Sequence, residues 1–509
     1  MKSGLVMNDN HSTLTLKYLG INTYKEPIIY MREDCYICKS EGFDAQARVR
    51  VTLNKRSIVA TLNTIKTNVL RHDEASLSDY AWELLSAKNG DQISINHPKS
   101  LDSLSYIRSK IYGHELTSNE TKHIIDDIVS GQLSDINIAM YIAASSGDRL
   151  SKKEVIDLTK AMVDSGQRLS WTSPFVVDKH CVGGLPGNRT TPIIVSIVAA
   201  FGLMIPKTSS RAITSPAGTA DTMEVFTTVD LDIVSMKKVV EQENGCVVWG
   251  GSMALSPADD LLIRIERTAN LDSEGQMVAS ILSKKIAAGA THLVIDIPIG
   301  TSAKVRSIAR AEFLKSLLES IAIEFGIEIK VMFTDGSQPV GRGIGPVLEA
   351  LDVLAVLNRD KHAPSDLRAH ALMLAGQVLE FSPDVTQGCG IKIATDILDS
   401  GKAFAKFQAI CNAQGGMRDI PKAPIIHTIE SKQSGTILNL DNRYIAQVAK
   451  LAGAPKSKSA GVELLVPLHS VVTRSQPLFK IYAETQGELH YALDFLKQGH
   501  EIFQIEVSE

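Results

Sequence analysis

Alternating hydrophobic and polar positions indicate that the first hundred residues are rich in strands. In Arg48–Leu53, apolar and polar side chains alternate with the two-residue period of a half-buried strand. Asn54 and Lys55 then offer a turn before a second strand-like run at residues 57–62. We therefore predict a separate N-terminal β domain over residues 1–100.

The pattern changes to a helical one after residue 100. Residues 117–120 and 151–154 both match the capping box, in which Thr or Ser is followed three residues later by Glu. After the second box, Val155, Leu158 and Met162 recur at helical spacing, and a glycine offers a stop. We predict a helical domain over residues 101–172, completed by a segment at about 257–288.

From residue 173, short apolar runs alternate with helical patterns. The predicted strands lie at residues 174–177, near 203–206, at 293–298 and at 329–333, and the predicted helices at 191–201 and 311–325. Such units build a parallel sheet with right-handed crossovers. The predicted fold class is thus α/β, with a central, mostly parallel-sheet domain over residues 173–256 plus 289–429. A smaller C-terminal α+β domain should cover residues 430–509.

Composition narrows the class of protein. A chain of 509 residues is too long for one hydrophobic core. The net charge of −4 gives no basic field for nucleic acid. No apolar run reaches the roughly 20 residues that span a bilayer, and the N-terminus lacks a signal-peptide layout, so we expect a cytoplasmic protein. Cys35 and Cys38 form a lone CxxC, which favours two free thiols over a metal site.

A glycine-rich stretch at residues 178–191 is the first candidate for chemistry. It follows a predicted strand and opens a predicted helix, where free backbone N–H groups and the positive end of the helix dipole attract anions. Gly183 and Gly184 let the backbone approach a ligand, and Lys179 adds a positive charge. The spacing is not that of a Walker A loop. By itself the stretch fits a phosphate site or an ordinary turn equally well.

Two further stretches carry polar groups. Residues 208–219 place hydroxyls, one Arg and one Gly after a strand, at the sheet edge where open α/β sheets bind ligands. The alternative is a helix cap within a solvated loop.

A third stretch lies on a predicted helix. Ser280 and Lys284 lie one helical turn apart and share a face, while Asp272 could protonate a leaving nitrogen if burial raised its pKa. The alternative is a surface lysine pair and a helix-capping Asp.

Together these stretches resemble the thymidine/pyrimidine-nucleoside phosphorylase family. The family's phosphate loop DKHSxGG corresponds to residues 178–184, its S-x-R…GGT-x-D-x-x-E signature to residues 209–224, and its base-binding helix to residues 272–285. The N-terminal β domain and the PGN at 186–188 match the longer branch of that family. This branch holds AMP phosphorylases together with proteins similar to thymidine phosphorylase.

The resemblance implies a pentosyltransferase that cleaves a base–sugar bond with phosphate. The reaction would convert thymidine and phosphate to thymine and 2-deoxyribose 1-phosphate, or AMP and phosphate to adenine and ribose 1,5-bisphosphate. The implied catalytic residues are Asp272 and Lys284. The implied phosphate contacts are Lys179, Gly183, Gly184, Ser209 and Thr219. The implied substrate contacts are Gly184, Ser210, Arg211, Ala212, Ile213, Thr214, Ser215, Thr219, Ser280, Lys284 and Lys304.

The resemblance also implies phosphate as the co-substrate, no cofactor or metal, no nucleic-acid or membrane partner, and a homodimer or higher homo-oligomer. Two positions depart from the family pattern. Cys181 replaces the serine of the phosphate loop, and Ile265 stands where the shorter branch uses an Arg, with Arg264 and Arg267 on either side. The sequence therefore leaves open whether the cleaved base is a pyrimidine or a purine. Alternative functions are nucleotide binding without turnover, or a phosphoribosyltransferase.

Overall fold

The computed structural model of the chain describes residues 13–212, 215–269, 271, 273–499 and 501–507. The chain divides into two compact units, Met1–Ala144 and Ser145–Glu509. No helix among these described residues is long and apolar enough to cross a membrane.

A closed six-stranded barrel forms the core of the first unit. Its strands are β1 (Thr13–Leu16), β2 (Ile28–Arg32), β3 (Arg48–Leu53), β4 (Arg56–Ile65), β5 (Glu74–Leu77) and β6 (Gln92–Asn96), in the order β1-β5-β2-β4-β3-β6. The predicted strand Arg48–Leu53 is confirmed with the same bounds. Its alternate residues Val49, Val51 and Leu53 are buried, because successive side chains point to opposite faces of the barrel wall.

The described part of this unit, from residue 13 on, also contains five helices: α1 (Tyr36–Glu41), α2 (Asp79–Leu85), α3 (Asp102–Ile111), α4 (Ser118–Val129) and α5 (Asp135–Ala144). The first predicted capping box starts α4, where Thr117 and Glu120 satisfy each other's backbone N–H groups. Helix α1 begins after Cys35, whose sulfur accepts the backbone N–H of Cys38 at 3.3 Å. Both are buried free thiols.

Parallel strands form the centre of the second unit. In chain order its first elements are α6 (Lys152–Asp164), β7 (Val177–Cys181), α7 (Thr191–Phe201), β8 (Ile205–Ser209), α8 (Thr219–Glu224), α9 (Ile233–Glu243), β9 (Gly245–Trp249), α10 (Pro257–Ala269), α11 (Glu274–Ala287), β10 (His292–Ile299), α12 (Ile308–Ala322) and β11 (Glu328–Asp335). The sheets β11-β10-β7 and β8-β9 are parallel throughout. A parallel bridge between Val176 and Met204 joins them, so β7 and β8 are neighbours.

Two of the predicted strands in this unit were misplaced. The strand expected at residues 174–177 is β7, Val177–Cys181, and the strand expected near 203–206 is β8, Ile205–Ser209. Both strands extend further toward their carboxyl ends than the apolar runs indicated. The reason is that polar side chains on them are buried against partners from distant parts of the chain.

The helix expected at residues 311–325 is α12, Ile308–Ala322, and the remaining predicted helices and strands of this unit agree with the structure. Helix α7 begins and ends where it was expected and is buried on nearly all sides. It packs in one hydrophobic core with four helices that come later in the chain, α13 (Pro346–Leu357), α14 (Ser365–Leu379), α15 (Gly390–Asp399) and α16 (Lys402–Ala413). Helix α6 starts at the second predicted capping box. Strands β10 and β11 contain the predicted runs 293–298 and 329–333.

The C-terminal part of the second unit mixes strands and helices. It contains β12 (Gly343–Ile344), β13 (Ile425–Glu430), β14 (Gly435–Leu440), α17 (Asn442–Leu451), β15 (Gly461–Leu464), β16 (Val471–Val472), β17 (Pro477–Ala483), α18 (Gln486–Lys497) and β18 (Phe503–Glu506). These strands form two antiparallel sheets, β12-β15-β17-β13 and β16-β14-β18. The molecule is thus a mixed α/β protein, and the four-domain division stays a prediction.

Candidate active site

The first candidate stretch begins inside a strand rather than in a loop. Asp178, Lys179, His180 and Cys181 all belong to β7. Successive side chains of a strand point to opposite faces. Asp178 accordingly contacts Lys285 on α11, whereas Lys179 contacts the start of α7. This short polar strand therefore supplies charged groups to both faces of the sheet.

A buried ionic cluster is centred on Asp178. Its two carboxylate oxygens lie 3.1 Å from Lys207 Nζ and 2.6 Å from Lys285 Nζ. The three side chains are only 2%, 6% and 3% exposed. Burial opposes ionisation of Asp178, but the two lysines outweigh it and lower the pKa of this carboxyl. Burial also lowers the pKa of Lys285, to about 7.

His180 shares the Asp178 face of the strand. Burial lowers the pKa of His180 well below its ordinary value, and the positive charges of Lys285, Lys207, Lys284 and Lys179 lower it further. The imidazole is therefore neutral at physiological pH, with one nitrogen able to donate and the other able to accept a hydrogen bond.

Lys179 and Cys181 lie on the opposite face. Lys179 is buried, and its ammonium group donates to Thr190 Oγ1 at 2.9 Å, directly before α7. Cys181 Sγ receives a hydrogen bond from Asn188 Nδ2 at 3.3 Å. Burial raises the pKa of the Cys181 thiol, and the negative charge of Asp296 adds to the effect, so the group remains protonated. Lys179 thus holds a positive charge at the N-terminus of α7.

The second candidate stretch starts at the end of β8, next to β7. Ser209 is the last residue of that strand, and its Oγ is buried with no hydrogen-bond partner among the described residues. Thr219 is the first residue of α8, and its Oγ1 accepts a hydrogen bond from Arg189 Nη1 at 2.8 Å. Both hydroxyls follow strand β8, Ser209 directly and Thr219 after the intervening loop. The Arg189 contact links this stretch to the glycine-rich stretch that follows the neighbouring strand β7.

Asp221 fixes the loop between Ser209 and Thr219. Its Oδ2 accepts the backbone N–H groups of Ala212 at 2.6 Å and Gly218 at 2.9 Å. The backbone carbonyl of Ser210 accepts the N–H of Ala220 at 3.3 Å. The Ser215 hydroxyl donates to the backbone of the same loop. The predicted contacts Ile213 and Thr214 lie outside the described residues.

Arg211 is held by acidic side chains rather than pointing freely from the loop. It forms ion pairs with Asp221, Glu224 and Asp230 at 3.3, 3.0 and 3.2 Å. Its guanidinium also lies 4.9 Å from the centre of the Trp249 ring. The hydrogen bond with Arg211 lowers the pKa of Glu224 to about 2. These contacts hold in place the loop at residues 210–218, between β8 and α8, which is called the second loop below.

The third candidate stretch has the geometry that its spacing predicted. On α11, Lys284 Nζ donates to Ser280 Oγ at 2.9 Å, so the two side chains share a face. The same ammonium group lies 2.5 Å from a carboxylate oxygen of Asp259, which is buried on α10. Asp272 lies outside the described residues. Ile265, also on α10, is buried.

Lys304, in the segment after β10, approaches the glycine-rich loop at residues 182–190, between β7 and α7, which is called the first loop below. A Cβ atom built on Gly184 would lie 3.1 Å from Lys304 Cβ, and the φ of +100° at Gly184 is one that side chains rarely adopt. Lys304 also borders a cavity of about 320 Å³. That cavity is lined by Gly147, Ser273, Glu274, Met277, Lys304, Val305, Arg306, Arg310 and Leu314. Substitution of Gly184 would therefore disturb both the loop and Lys304.

Sequence reasoning missed four charged residues of this region: Arg189, Lys207, Asp259 and Glu349. Arg189 stands inside the glycine-rich stretch, so its position was a usable signal. The other three had none, because their partners are 25 to 160 residues away in the chain. Among the described residues, no group of three or more His, Cys, Asp and Glu could hold a metal ion.

Comparison with known proteins identifies the family of the chain. Residues 104–166 match the model of the glycosyl transferase family helical bundle domain, and residues 173–404 match that of the glycosyl transferase family a/b domain. A protein of Legionella pneumophila (strain Paris) named "Putative thymidine phosphorylase" is 60% identical over 500 residues, which cover 98% of this chain and 97% of that protein. The chain belongs to the thymidine phosphorylase family.

A second relative supports this assignment, and one solved structure shares the fold. A protein of Hahella chejuensis with the same name is 54% identical over 493 residues, covering 97% of this chain and 98% of that protein. The crystal structure of anthranilate phosphoribosyltransferase from Thermus thermophilus has a TM-score of 0.51 at 17% identity. It covers 60% of this chain and 98% of that one, and it shows the fold alone. The predicted enzyme class, a pentosyltransferase, is confirmed.

Proposed function

We propose that this enzyme catalyses the reversible phosphorolysis of a nucleoside or a nucleoside 5′-monophosphate. The first candidate reaction converts thymidine and phosphate to thymine and 2-deoxyribose 1-phosphate. The alternative converts AMP and phosphate to adenine and ribose 1,5-bisphosphate. The observation that carries the proposal is a pair of hydroxyls after β8, next to the donor-rich loop that follows the neighbouring strand β7. They are Thr219 Oγ1 and Ser209 Oγ, and the latter has no hydrogen-bond partner among the described residues.

In this proposal the phosphate site consists of hydrogen-bond donors. Lys179 uses one of its three N–H donors on Thr190 in the described contacts, which leaves others for a phosphate oxygen. The hydroxyls of Ser209 and Thr219 and the backbone N–H groups of Gly183 and Gly184 supply the rest. Preformed donors of this kind position a nucleophile and stabilise charge without reorganisation.

The base would lie against α11. Cleavage of a glycosidic bond passes through a sugar with oxocarbenium character, so charge on the departing base must be neutralised. Lys284 is oriented for this by Ser280 and Asp259 and can donate to an acceptor atom of the base. Asp272 would supply a proton if the leaving group is purine-like, and such general acid help contributes roughly 100- to 10,000-fold.

The substrate is further assigned to the second loop and Lys304. Ser210, Arg211, Ala212, Ile213, Thr214 and Ser215 would contact it together with Gly184, Thr219, Ser280 and Lys304. Lys304 supplies a positive charge next to Gly184, which suits a substrate that carries a phosphate of its own. Phosphate is the co-substrate, and we expect a homo-oligomer.

A base-release assay tests the proposal and selects the substrate. The purified enzyme is incubated with phosphate and thymidine, uridine, AMP, CMP or UMP in turn. We expect one class of substrate to release its base, and a requirement for the 5′-phosphate would select the nucleotide reaction. Binding of a nucleotide with no release from any of the five would contradict the proposal and favour nucleotide binding without turnover.

Two variants test the assigned roles. Lys179→Ala and Asp272→Asn should each reduce turnover strongly while the protein still folds. The matched control is Lys361→Ala, since Lys361 is an exposed lysine in the turn after α13. Full activity in both variants would contradict the site assignment.

A further inference from the structure

Arg189 connects the two candidate phosphate loops. Its Nη1 donates to Thr219 Oγ1 at 2.8 Å and its Nη2 donates to the backbone carbonyl of Ala217 at 3.1 Å. Its Nε donates to Glu349 Oε2 at 2.6 Å. The side chain is only 11% exposed, so these contacts are largely shielded from water.

Glu349 holds the guanidinium group in one orientation. The Glu349 side chain, on α13, is 1% exposed. Its Oε2 also accepts the Thr222 hydroxyl at 3.0 Å, and its Oε1 accepts the backbone N–H of Gly345 at 3.3 Å. Burial raises the pKa of Glu349, and the charge of Arg189 opposes that shift. A carboxylate anchored at both oxygens cannot turn with the arginine, so the planar guanidinium is fixed.

The contact from Arg189 determines what Thr219 can do. A hydroxyl has one O–H donor and two acceptor lone pairs. Because an N–H of Arg189 occupies the acceptor side of Thr219 Oγ1, the hydroxyl proton is left to donate to another group. Ser209 Oγ, at the end of the preceding strand, is also a buried hydroxyl without a partner among the described residues. Two such donors suit the unprotonated oxygens of a phosphate anion, which accept hydrogen bonds.

We propose that Arg189, held by Glu349, is a positioning residue for inorganic phosphate. It acts through Thr219 by keeping that hydroxyl a donor toward the anion and by joining the two loops. The inference rests on the proposed phosphorolysis. Glu349 offsets the charge of Arg189, so the pair contributes orientation to the site rather than net positive charge.

Phosphate kinetics of Arg189→Gln test this role. With the nucleoside or nucleotide saturating, we expect the phosphate KM to rise at least about tenfold, because the Thr219 hydroxyl is no longer held as a donor to a charged ligand. The KM of the base-carrying substrate should stay within about twofold. Arg189→Lys should recover only part of the loss, since an ammonium group lacks the planar fork that reaches Thr219 and Glu349 together. A phosphate KM within about twofold of the wild type in Arg189→Gln would overturn the inference.

A double-variant cycle separates this role from a purely structural one. Thr219→Val removes the hydroxyl at similar volume. If Arg189 acts through Thr219, the double variant should have the same phosphate KM as Thr219→Val alone. Independent, multiplying effects would overturn the inference. Thermal unfolding of each variant checks that the protein is folded, and a cycle that loses Arg189→Gln to misfolding is repeated with Arg189→Lys.

Direct binding of inorganic phosphate, measured by calorimetry, distinguishes failure of this inference from failure of the proposed function. A wild-type protein that binds phosphate but releases no base would overturn the proposed reaction. Weakened binding in Arg189→Gln, with the same coupling to Thr219→Val, would still support the positioning role. Unchanged binding in Arg189→Gln would overturn that role whichever reaction the enzyme performs.

Discussion

Replacement of Asp178 by Asn should destabilise the second unit far more than loss of an ordinary ion pair. Asp178 is the negative partner of both Lys207 and Lys285, at 3.1 and 2.6 Å. Removing the charge of Asp178 leaves the two buried ammonium groups without this negative partner. Breaking a buried pair by removing one partner costs about 3–5 kcal/mol. We therefore expect Asp178→Asn to lower the free energy of unfolding by about that amount.

Urea unfolding at pH 6 measures this loss. That pH lies below the pKa of about 7 of Lys285, so this lysine is protonated in the wild type. Fluorescence of Trp171 and Trp249 reports on the second unit, which contains the cluster. The matched control is Asp399→Asn, because Asp399 and Arg368 form a 2.7 Å ion pair with side chains 50% and 36% exposed.

The control should lose about 0–1 kcal/mol, as exposed ion pairs do. Equal losses in the two variants would refute the argument, because they would show that Asp178 does not balance two buried charges. A loss confined to Asp178→Asn would also explain why a strand with so many polar residues stays buried in the sheet.

Three further outcomes follow from the site. Asp259→Asn frees the ammonium group of Lys284 from a 2.5 Å contact and should lower kcat/KM for phosphorolysis roughly tenfold or more. The unfolding midpoint should change little, because the Lys284 side chain is 31% exposed and water can replace the lost contact, unlike the buried lysines around Asp178. Gly187→Ala should destabilise the protein by roughly 1–3 kcal/mol in urea unfolding, because φ is +67° and a Cβ would meet a carbonyl oxygen at 2.4 Å, whereas Gly183→Ala meets nothing within 4 Å. Because the pKa of His180 is lowered in the folded protein, the unfolded chain takes up a proton below about pH 6.5 and the folded protein does not. The free energy of unfolding should therefore fall as the pH drops below that value, by up to about 1.4 kcal/mol per pH unit. His180→Asn should flatten that dependence, and an unchanged slope would contradict it.

The features that sequence reasoning predicted well are local ones. The capping boxes of α4 and α6 and the alternation of Arg48–Leu53 depend on residues close together in the chain. The shared face of Ser280 and Lys284 has the same origin. In such cases the backbone geometry alone brings the side chains together, and no knowledge of the tertiary fold is needed.

The features that sequence reasoning missed depend on distant partners. Strand β7 looked like a loop because it is polar, and it is buried because Asp178 pairs with lysines 29 and 107 positions away. The position of Arg189 inside the glycine-rich stretch was a signal, but its role was missed because its partner Glu349 is 160 positions away. The family resemblance supplied the order of the site residues, whereas their contacts required the fold.

The central claim, that phosphate cleaves the base–sugar bond, is tested most directly by the phosphorus product. The enzyme is incubated with inorganic phosphate and thymidine or AMP, and the reaction is followed by ³¹P NMR together with base release. The account predicts that a sugar 1-phosphate resonance grows in step with the free base, and that neither product forms without phosphate. Release of base at the same rate without phosphate, with no new phosphorus signal, would contradict it.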